Sequence, residues 1–502
     1  MPVVHFFTEK GNGTLVMATK NVLAFDLGAS SGRGMLARFD GEKISLEEVH
    51  RFPHNFSVLN GHAYWNILFL MDEMKKGLSL CKEELSGVGF DTWGVDCGLL
   101  DKEGNLLGMP GSYRDATLDD VNMAEALQKI GGEEFAFEQT GIASLAYNTA
   151  YKLYYMQKTM PSIMTAADKV LLMPNLIEYL FSGVKHTEYS IASTTQLFNM
   201  KEKAWAKPLM EKLGISEKLF TEVDLAGRDL GTLRKDVAEE VGQKSLHIIS
   251  APGHDTACAV AAVPATTEEF TFLSSGTWSL MGISSKKMLT GERIVRDKIS
   301  NEGTADGGYR PTVNIIGLWM NQELRRNFAA QGKDYSFRQM QEMADKEKPL
   351  QCFIRPDDFM QPGDYTVKIR EYCKKTNQPV PESDGAVIRC MLESLALKYR
   401  QVYDTLKPFI TWEEKLYIVG GGVQNEQLNQ FTANALGIPV ITGASEATAV
   451  GNVMAQLKAI GAYHTNEEKC DILAASFGTK KYLPQDMQAW QEAYERFSRL
   501  YE

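Results

Sequence analysis

The segment NVLAFDLGASSGRGMLARFDGEKISLEEVHRF, residues 21–52, opens on an apolar run that stops at an acid. Residues 21–26 read as a buried strand and 27–33 as a turn of small residues. Residues 34–39 read as a second strand, Asp40-Gly41 as a hairpin turn, and the alternation over 43–52 as a third strand. The unit is therefore a β-meander whose first two strands are joined by a Gly/Ser turn. That turn, DLGASSGR at 26–33, leaves backbone N–H groups free to line a concavity suited to phosphate oxygens. Ser30 and Ser31 add hydroxyl donors and Arg33 adds charge. Asp26, at the strand end, is placed to hold a hydrated Mg2+ beside those phosphates. The plainer alternative is a tight hairpin capped by serines.

Two other phosphate motifs are excluded. No GxxxxGKS or GxxxxGKT run occurs, so this is not a P-loop. GRGMLA at 32–37 fits GxGxxA, but it leads into a strand where the dinucleotide fingerprint requires a helix.

A related pattern, FTFLSSGTWSLMGIS, returns at 270–284 as strand, Ser/Gly/Thr turn and strand. Two copies of one unit half a chain apart predict a duplicated α/β fold with a central cleft. The boundary falls near AVPATTEE, 262–269, where Pro and polar residues interrupt the apolar pattern. Further on, apolar residues at helical spacing predict a helix over 384–406. A short strand at 417–419 enters Gly420-Gly421-Gly422. Helices are expected over 425–436, stopped by Gly437, and over 445–460, with Ser445 as cap and Gly461 as stop.

The 502 residues exceed what one core accommodates, so two or more domains are expected. At 44% hydrophobic and 23% charged residues the composition is that of an ordinary globular protein. A net charge of −11 argues against nucleic acid or an anionic membrane surface as main partner. No apolar run is long enough for a transmembrane helix, and residues 1–16 do not read as a signal peptide. Residues 1–20 are read as a tail, with Met17 as an alternative start. Seven dispersed cysteines without a CxxC pair suit a reducing, cytoplasmic compartment; Cys373 and Cys390 are candidates to meet in space.

SAPGHDTACAV, 250–260, sets His254-Asp255 among small and apolar residues, where a charge is costly unless it is used or paired. The turn-and-cap reading is the plain one. FDTWGVDCGLL, 90–100, carries Asp91, Asp96 and a Trp, which suits sugar hydroxyls and a ring face; the plain reading is a core strand with an acid at each end. SSGTWS, 274–279, pairs with the first turn as a second set of donors, and VGGGVQN, 419–425, permits close approach to a flat ligand such as adenine. In HRFPH, 50–54, Pro53 excludes a zinc pair on one helical face, so both histidines read as surface or loop residues.

DLGASSGR, DTWGVD, GHDT, SSGTWSLMG, NIIGLWMNQ and VGGGVQN occur in that order between residues 22 and 483. This combination resembles the FGGY sugar kinases, and SYRD (112–115) and LLMPN (171–175) fit the branch acting on L-rhamnulose. The resemblance implies an actin-like ATPase, ribonuclease H-like fold with two duplicated βββαβαβα domains, 21–262 and 263–484, then a C-terminal helix over 485–502. It implies that MgATP phosphorylates the 1-hydroxyl of L-rhamnulose. By position, Ala29, Ser30, Ser31, Gly32 and Arg33 would contact ATP phosphates, with Thr277, Gln322 and Gly421 at the nucleotide. Gly94, His254, Asp255, Thr256 and Asn314 would line the sugar, and Asp255 would accept its proton. The small residues around His254-Asp255 would let two domains close on the ligand. The implied partners are the ketose and ATP, with no nucleic acid or membrane, in a monomer or small homo-oligomer. Alternatives are an FGGY kinase for another ketose, such as L-fuculose, and a non-kinase actin-like ATP-binding module. Cys97 after Asp96 stands where the family varies.

Overall fold

Val22, Leu23, Ala24, Phe25 and Leu27 are wholly enclosed, so their strand, β1 (Lys20–Leu27), lies inside a sheet covered on both faces. β2 (Ser31–Phe39) and β3 (Ile44–Pro53) fold back antiparallel as the expected meander. The turn is shorter than read, because Ser31, Gly32 and Arg33 already pair with β1 and β3. β4 (Gly87–Thr92), β5 (Asp229–Thr232) and β6 (His247–Ile249) complete the order β5-β6-β4-β1-β2-β3. β1, β4 and β6 are parallel.

The pattern repeats. β7 (Phe270–Ser275), β8 (Trp278–Ser284), β9 (Tyr309–Ile316), β10 (Leu416–Val419), β11 (Val440–Thr442) and β12 (Lys480–Tyr482) run β12-β11-β10-β7-β8-β9, and a seventh strand, Ser300–Gly303, adds to the sheet beside β9. Again a meander lies beside three parallel strands, β7, β10 and β11, with an antiparallel edge strand. The duplication expected from the two turns is present in the topology. The helix Asp384–Leu406 has the bounds its periodicity predicts, and Glu426–Leu436 is capped by the Asn425 side chain and stopped by Gly437. The C-terminal helix is Met487–Ser498.

This computed structural model describes residues 19–502 and the paired strands Phe7–Thr8 and Val16–Met17. Most of the expected tail over 1–20 lies outside the described residues. Among the described residues no helix is long and apolar enough to cross a membrane.

Two compact units are present, each discontinuous in sequence. The first comprises residues up to Thr266, Ser285–Pro311 and Ala447–Phe477; the second comprises Thr267–Ser284, Thr312–Glu446 and Gly478–Glu502. Two stretches read as part of a continuous second domain thus pack in the first unit. The helix Ala447–Ala459 shows why. Its Gly451 lies so close to the helix Asp255–Ala261 that a Cβ would sit 1.8 Å from the Cys258 carbonyl oxygen. From the same helix Gln456 Nε2 donates to the Leu23 carbonyl of β1 at 3.0 Å.

Candidate active site

The parallel strands of the first unit end together and carry the acids there. Asp26 near the end of β1 stands in register with Asp91 near the end of β4. Thr92, the last residue of β4, bridges to His254, and its N–H donates to the Gly253 carbonyl at 2.9 Å. Asp26, Asp91, Gly94 and His254-Asp255 therefore gather at the carboxyl ends of the strands, where open α/β sheets bind ligands. Asp91 is wholly buried, and Asn452 Nδ2 donates to its Oδ2 at 2.7 Å, while its Oδ1 has no hydrogen-bond partner. Burial and the charges of Asp26 and Asp255 push the Asp91 carboxyl well above the usual range. A divalent cation bound nearby would offset the burial and the charges of Asp26 and Asp255 that act on this carboxyl. The sequence reading assigned the metal to Asp26 alone; Asp91 of DTWGVD stands beside it in register.

The Gly/Ser turn differs in detail from expectation. Arg33 binds Asp26 Oδ2 through Nε at 3.0 Å and its terminal nitrogen at 2.7 Å. The cation expected at the phosphates thus rests on the carboxylate expected to hold Mg2+. Gly32 is needed for packing, since a Cβ there would lie 2.3 Å from the Phe52 ring. Gly28 donates to the Ser31 carbonyl at 3.0 Å, Ala29 is half-buried and Ser30 is exposed. His54, read as a surface or loop residue, braces this turn instead. Its Nε2 lies 2.7 Å from the Gly28 carbonyl and its N–H donates to the Ser30 carbonyl. Its ring packs on Trp65 and Trp93, and burial lowers its pKa, aided by the Arg114 charge and opposed by the Gly28 carbonyl. His50 also departs from that reading: it lies in β3, half-buried, 2.5 Å from Glu73.

Gly94 begins a strained turn. Asp96 N–H donates to the Gly94 carbonyl at 2.9 Å across Val95, whose φ is 65°. This is the rare positive-φ γ-turn, on a β-branched residue. Thr194 Oγ1 accepts from Val95 N–H at 3.0 Å and Thr149 Oγ1 donates to its carbonyl at 2.7 Å. Asp96 itself is fully engaged with Lys152 and with the indole N–H groups of Trp65 and Trp93 at 2.6 and 2.8 Å. Asp96 is thus held by structural partners, but the plain reading of a single core strand does not hold, because Gly87–Thr92 and Cys97–Leu100 are separate strands joined by this turn.

His254 caps the helix Asp255–Ala261 and Asp255 opens it, with Thr256 N–H and Oγ1 both donating to Asp255 Oδ1. The Asp255 side chain remains one-third exposed. His254 Nε2 lies 3.4 Å from Asp255 Oδ1, and its Nδ1 lies 3.0 Å from Arg310 and 3.1 Å from Glu302. Arg310 donates to Glu302 at 2.6 Å. Burial raises the Glu302 carboxyl, but the Arg310 and His254 charges win and hold it at about 2. The small residues around this pair serve packing within the first unit. Gly253 lies against Pro174 and Ile191, and the carbonyl of Cys258 lies against Gly451. Glu302, Arg310 and Asn452 had no local signature.

The second unit holds the other expected residues. Thr277 is exposed in the β7–β8 turn, and Gln322 Nε2 donates to its Oγ1 at 3.3 Å. The carbonyls of Gly276 and Thr277 accept from Leu318 and Trp319 at the start of the helix Trp319–Ala330. β10 runs parallel to β7 and leads to the three glycines. Gly420 (φ 88°) and Gly422 press on Ser275, whereas Gly421 is exposed with nothing within 4 Å of a Cβ. Of the three, Gly421 is thus the one that borders open space. Asn314 is exposed on β9, opposite Leu280 of β8, in a different unit from the other sugar candidates.

The N-terminal domain model of the FGGY family of carbohydrate kinases matches residues 21–262, and its C-terminal domain model matches 271–460. A rhamnulokinase of Bacteroides thetaiotaomicron is 40% identical over 95% of this chain and 99% of its own. One from Ligilactobacillus salivarius is 36% identical over 93% and 96%. Among solved structures, xylulose kinase from Rhodospirillum rubrum superposes with a TM-score of 0.79 at 17% identity, covering 96% of this chain and 98% of that one. Plasmodium falciparum glycerol kinase with ADP gives 0.77 at 14% identity, covering 96% and 98%. These neighbours show the actin-like ATPase fold.

Proposed function

Because the chain belongs to the FGGY family of carbohydrate kinases, we propose that it acts as a rhamnulokinase, converting L-rhamnulose and MgATP to L-rhamnulose 1-phosphate and ADP. The substrate rests on one observation: relatives 36–40% identical over nearly the whole chain carry that name. The chemistry is supported by Asp26, Asp91 and Asp255, brought together at the strand ends.

Asp255 accepts the proton of the 1-hydroxyl as the phosphoryl group is transferred. Phosphoryl transfer has a loose transition state, so positioning the hydroxyl matters as much as deprotonating it. His254, held by Arg310 and Glu302, and Thr256 fix the sugar beside Asp255. The strained turn presents Gly94 to the same ligand. Asp26 and Asp91 would hold Mg2+, which offsets phosphate charge when bound. Ala29 to Arg33 face the phosphates through the Gly/Ser turn, and Thr277, Gln322 and Gly421 hold the nucleotide.

The test is a coupled ADP-release assay on L-rhamnulose, L-fuculose, L-ribulose, D-xylulose and glycerol. A clear kcat/KM preference for L-rhamnulose is expected. Preference for another ketose refutes the substrate but keeps the kinase chemistry, and absence of turnover with every sugar refutes both.

A further inference from the structure

Seven cysteines are buried free thiols, and three of them converge in the second unit. Cys352 comes from the loop before Arg355, Cys373 from the helix Tyr365–Lys375, and Cys390 from the helix Asp384–Leu406. All three Sγ atoms lie within 4.8 Å of one another. The sequence reading considered Cys373 and Cys390 as a pair and missed Cys352. Its own stretch, LQCFIR, carries no ligand spacing that points to either.

Isolated buried cysteines are ordinary small hydrophobes. Three from separate elements meeting at their sulfurs are a different case, because the surroundings hold them there. The loop carrying Cys352 is fastened on both sides. Leu350 N–H donates to Glu393 at 2.9 Å and Ile354 N–H to Ser394 Oγ at 2.9 Å. Between them the Phe353 N–H and carbonyl both bond the Gln378 side chain at 2.8 Å. Gln378 N–H in turn donates to the Cys373 carbonyl, and Ser394 Oγ to the Cys390 carbonyl. Each ligand-bearing backbone is thus pinned to the next. A cavity of about 380 Å³ borders Cys352 and Cys390 and is lined by Lys346, Lys348 and Arg389 as well as Glu393. Glu347 and Glu382 line it too, and it supplies an entry path to the sulfurs.

We propose that Cys352, Cys373 and Cys390 form a three-sulfur site for a thiophilic d10 cation, Zn2+ or Cu+. Metal–sulfur bonds of about 2.3 Å place three thiolates roughly 4 Å apart, so the sulfurs need only contract slightly. Binding replaces the three thiol protons, which leave to solvent: three RSH and one cation give the tris-thiolate complex and three H+. Zn2+ takes water from the cavity as a fourth ligand, whereas Cu+ is satisfied by three sulfurs. The cation would tie the loop and two helices together. This site does not depend on the kinase reading.

The experiment uses the full-length protein, reduced and stripped with chelator, then dialysed in separate arms against buffered Zn2+ and buffered Cu+. Metal per chain is measured by mass spectrometry, and proton release is followed on titration. One equivalent of one of the two cations is expected, with a rise in Tm on binding. Cys352→Ser, Cys373→Ser and Cys390→Ser should each lose the bound metal, and Cys470→Ser should keep it. Because a buried serine can itself unfold the unit, the stoichiometry and Tm shift of the unaltered protein are the primary readouts. Absence of stoichiometric binding in both arms overturns the proposal. So does retention of the metal by a folded Cys373→Ser variant. A disulfide between two of the three thiols in metal-free protein as isolated also overturns it.

Discussion

Removing the Asp255 carboxylate should separate chemistry from binding. Its carboxylate makes only local contacts with Thr256 and His254, so Asp255→Asn should fold and still bind sugar. Turnover should fall by about 10²–10⁴, or roughly 3–5 kcal/mol of barrier. ADP release and calorimetric sugar binding measure the two halves; turnover within tenfold of the parent would refute Asp255 as the proton acceptor. Glu302 gives a pH-dependent prediction. Its carboxyl is held at about 2 against an ordinary 4.5, so it contributes stability that is fully present above pH 4.5. That contribution is lost as pH falls towards about 2. Glu302→Gln should therefore be less stable than the parent at neutral pH, with the gap closing as the solution is acidified below pH 4.5. Urea unfolding across that range reads the gap, and a gap that widens on acidification would refute the charge assignment. The same variant should raise the sugar KM, because His254 and Arg310 lose a shared anchor. Neither Glu302 nor Arg310 was legible beforehand, since a Glu and an Arg eight residues apart carry no signature until a histidine 56 residues from Arg310 is folded against them.

At the scale of elements, glycines divide into those that pack and those that border open space. Gly451 belongs to the first kind, because its helix lies on the Cys258 carbonyl. Gly451→Ala should cost at least about 1–3 kcal/mol by overpacking, read as a lower urea midpoint. Gly421 belongs to the second kind. Gly421→Ala meets open space, so stability should stay within about 0.5 kcal/mol while ATP affinity falls. Unchanged ATP affinity would remove Gly421 from the nucleotide site. Both meanders, the helix Asp384–Leu406 and the stop at Gly437 were legible because periodicity and turn chemistry act over a few residues. The role of the small residues after His254 was not. Small residues read the same whether they face a ligand, a second domain or, as here, a neighbouring helix.

For the whole molecule, ligand linkage tests the sites independently of turnover. ATP at about 100 times its Kd should stabilise the folded chain by about 2.7 kcal/mol, and L-rhamnulose likewise. In Asp255→Asn both shifts should persist, whereas a sugar shift lost with the activity would make Asp255 a binding residue. The sequence by itself determined the family, the duplicated α/β plan and the Gly/Ser turn, and it singled out Asp255 as a candidate, because each is written in contiguous residues whose local conformations leave little choice. Only the tertiary structure decided that Asn452 completes Asp91 from 361 residues away and that Arg33 rests on Asp26. It also decided that Asp96 is spent on Lys152 and two tryptophans, that the helix Ala447–Ala459 belongs to the first unit, and that Cys352 joins Cys373 and Cys390. The physical reason is common to all of these. Burial makes an unpaired polar group costly, so its partner is chosen by whichever distant segment the sheets and helices bring within hydrogen-bond reach.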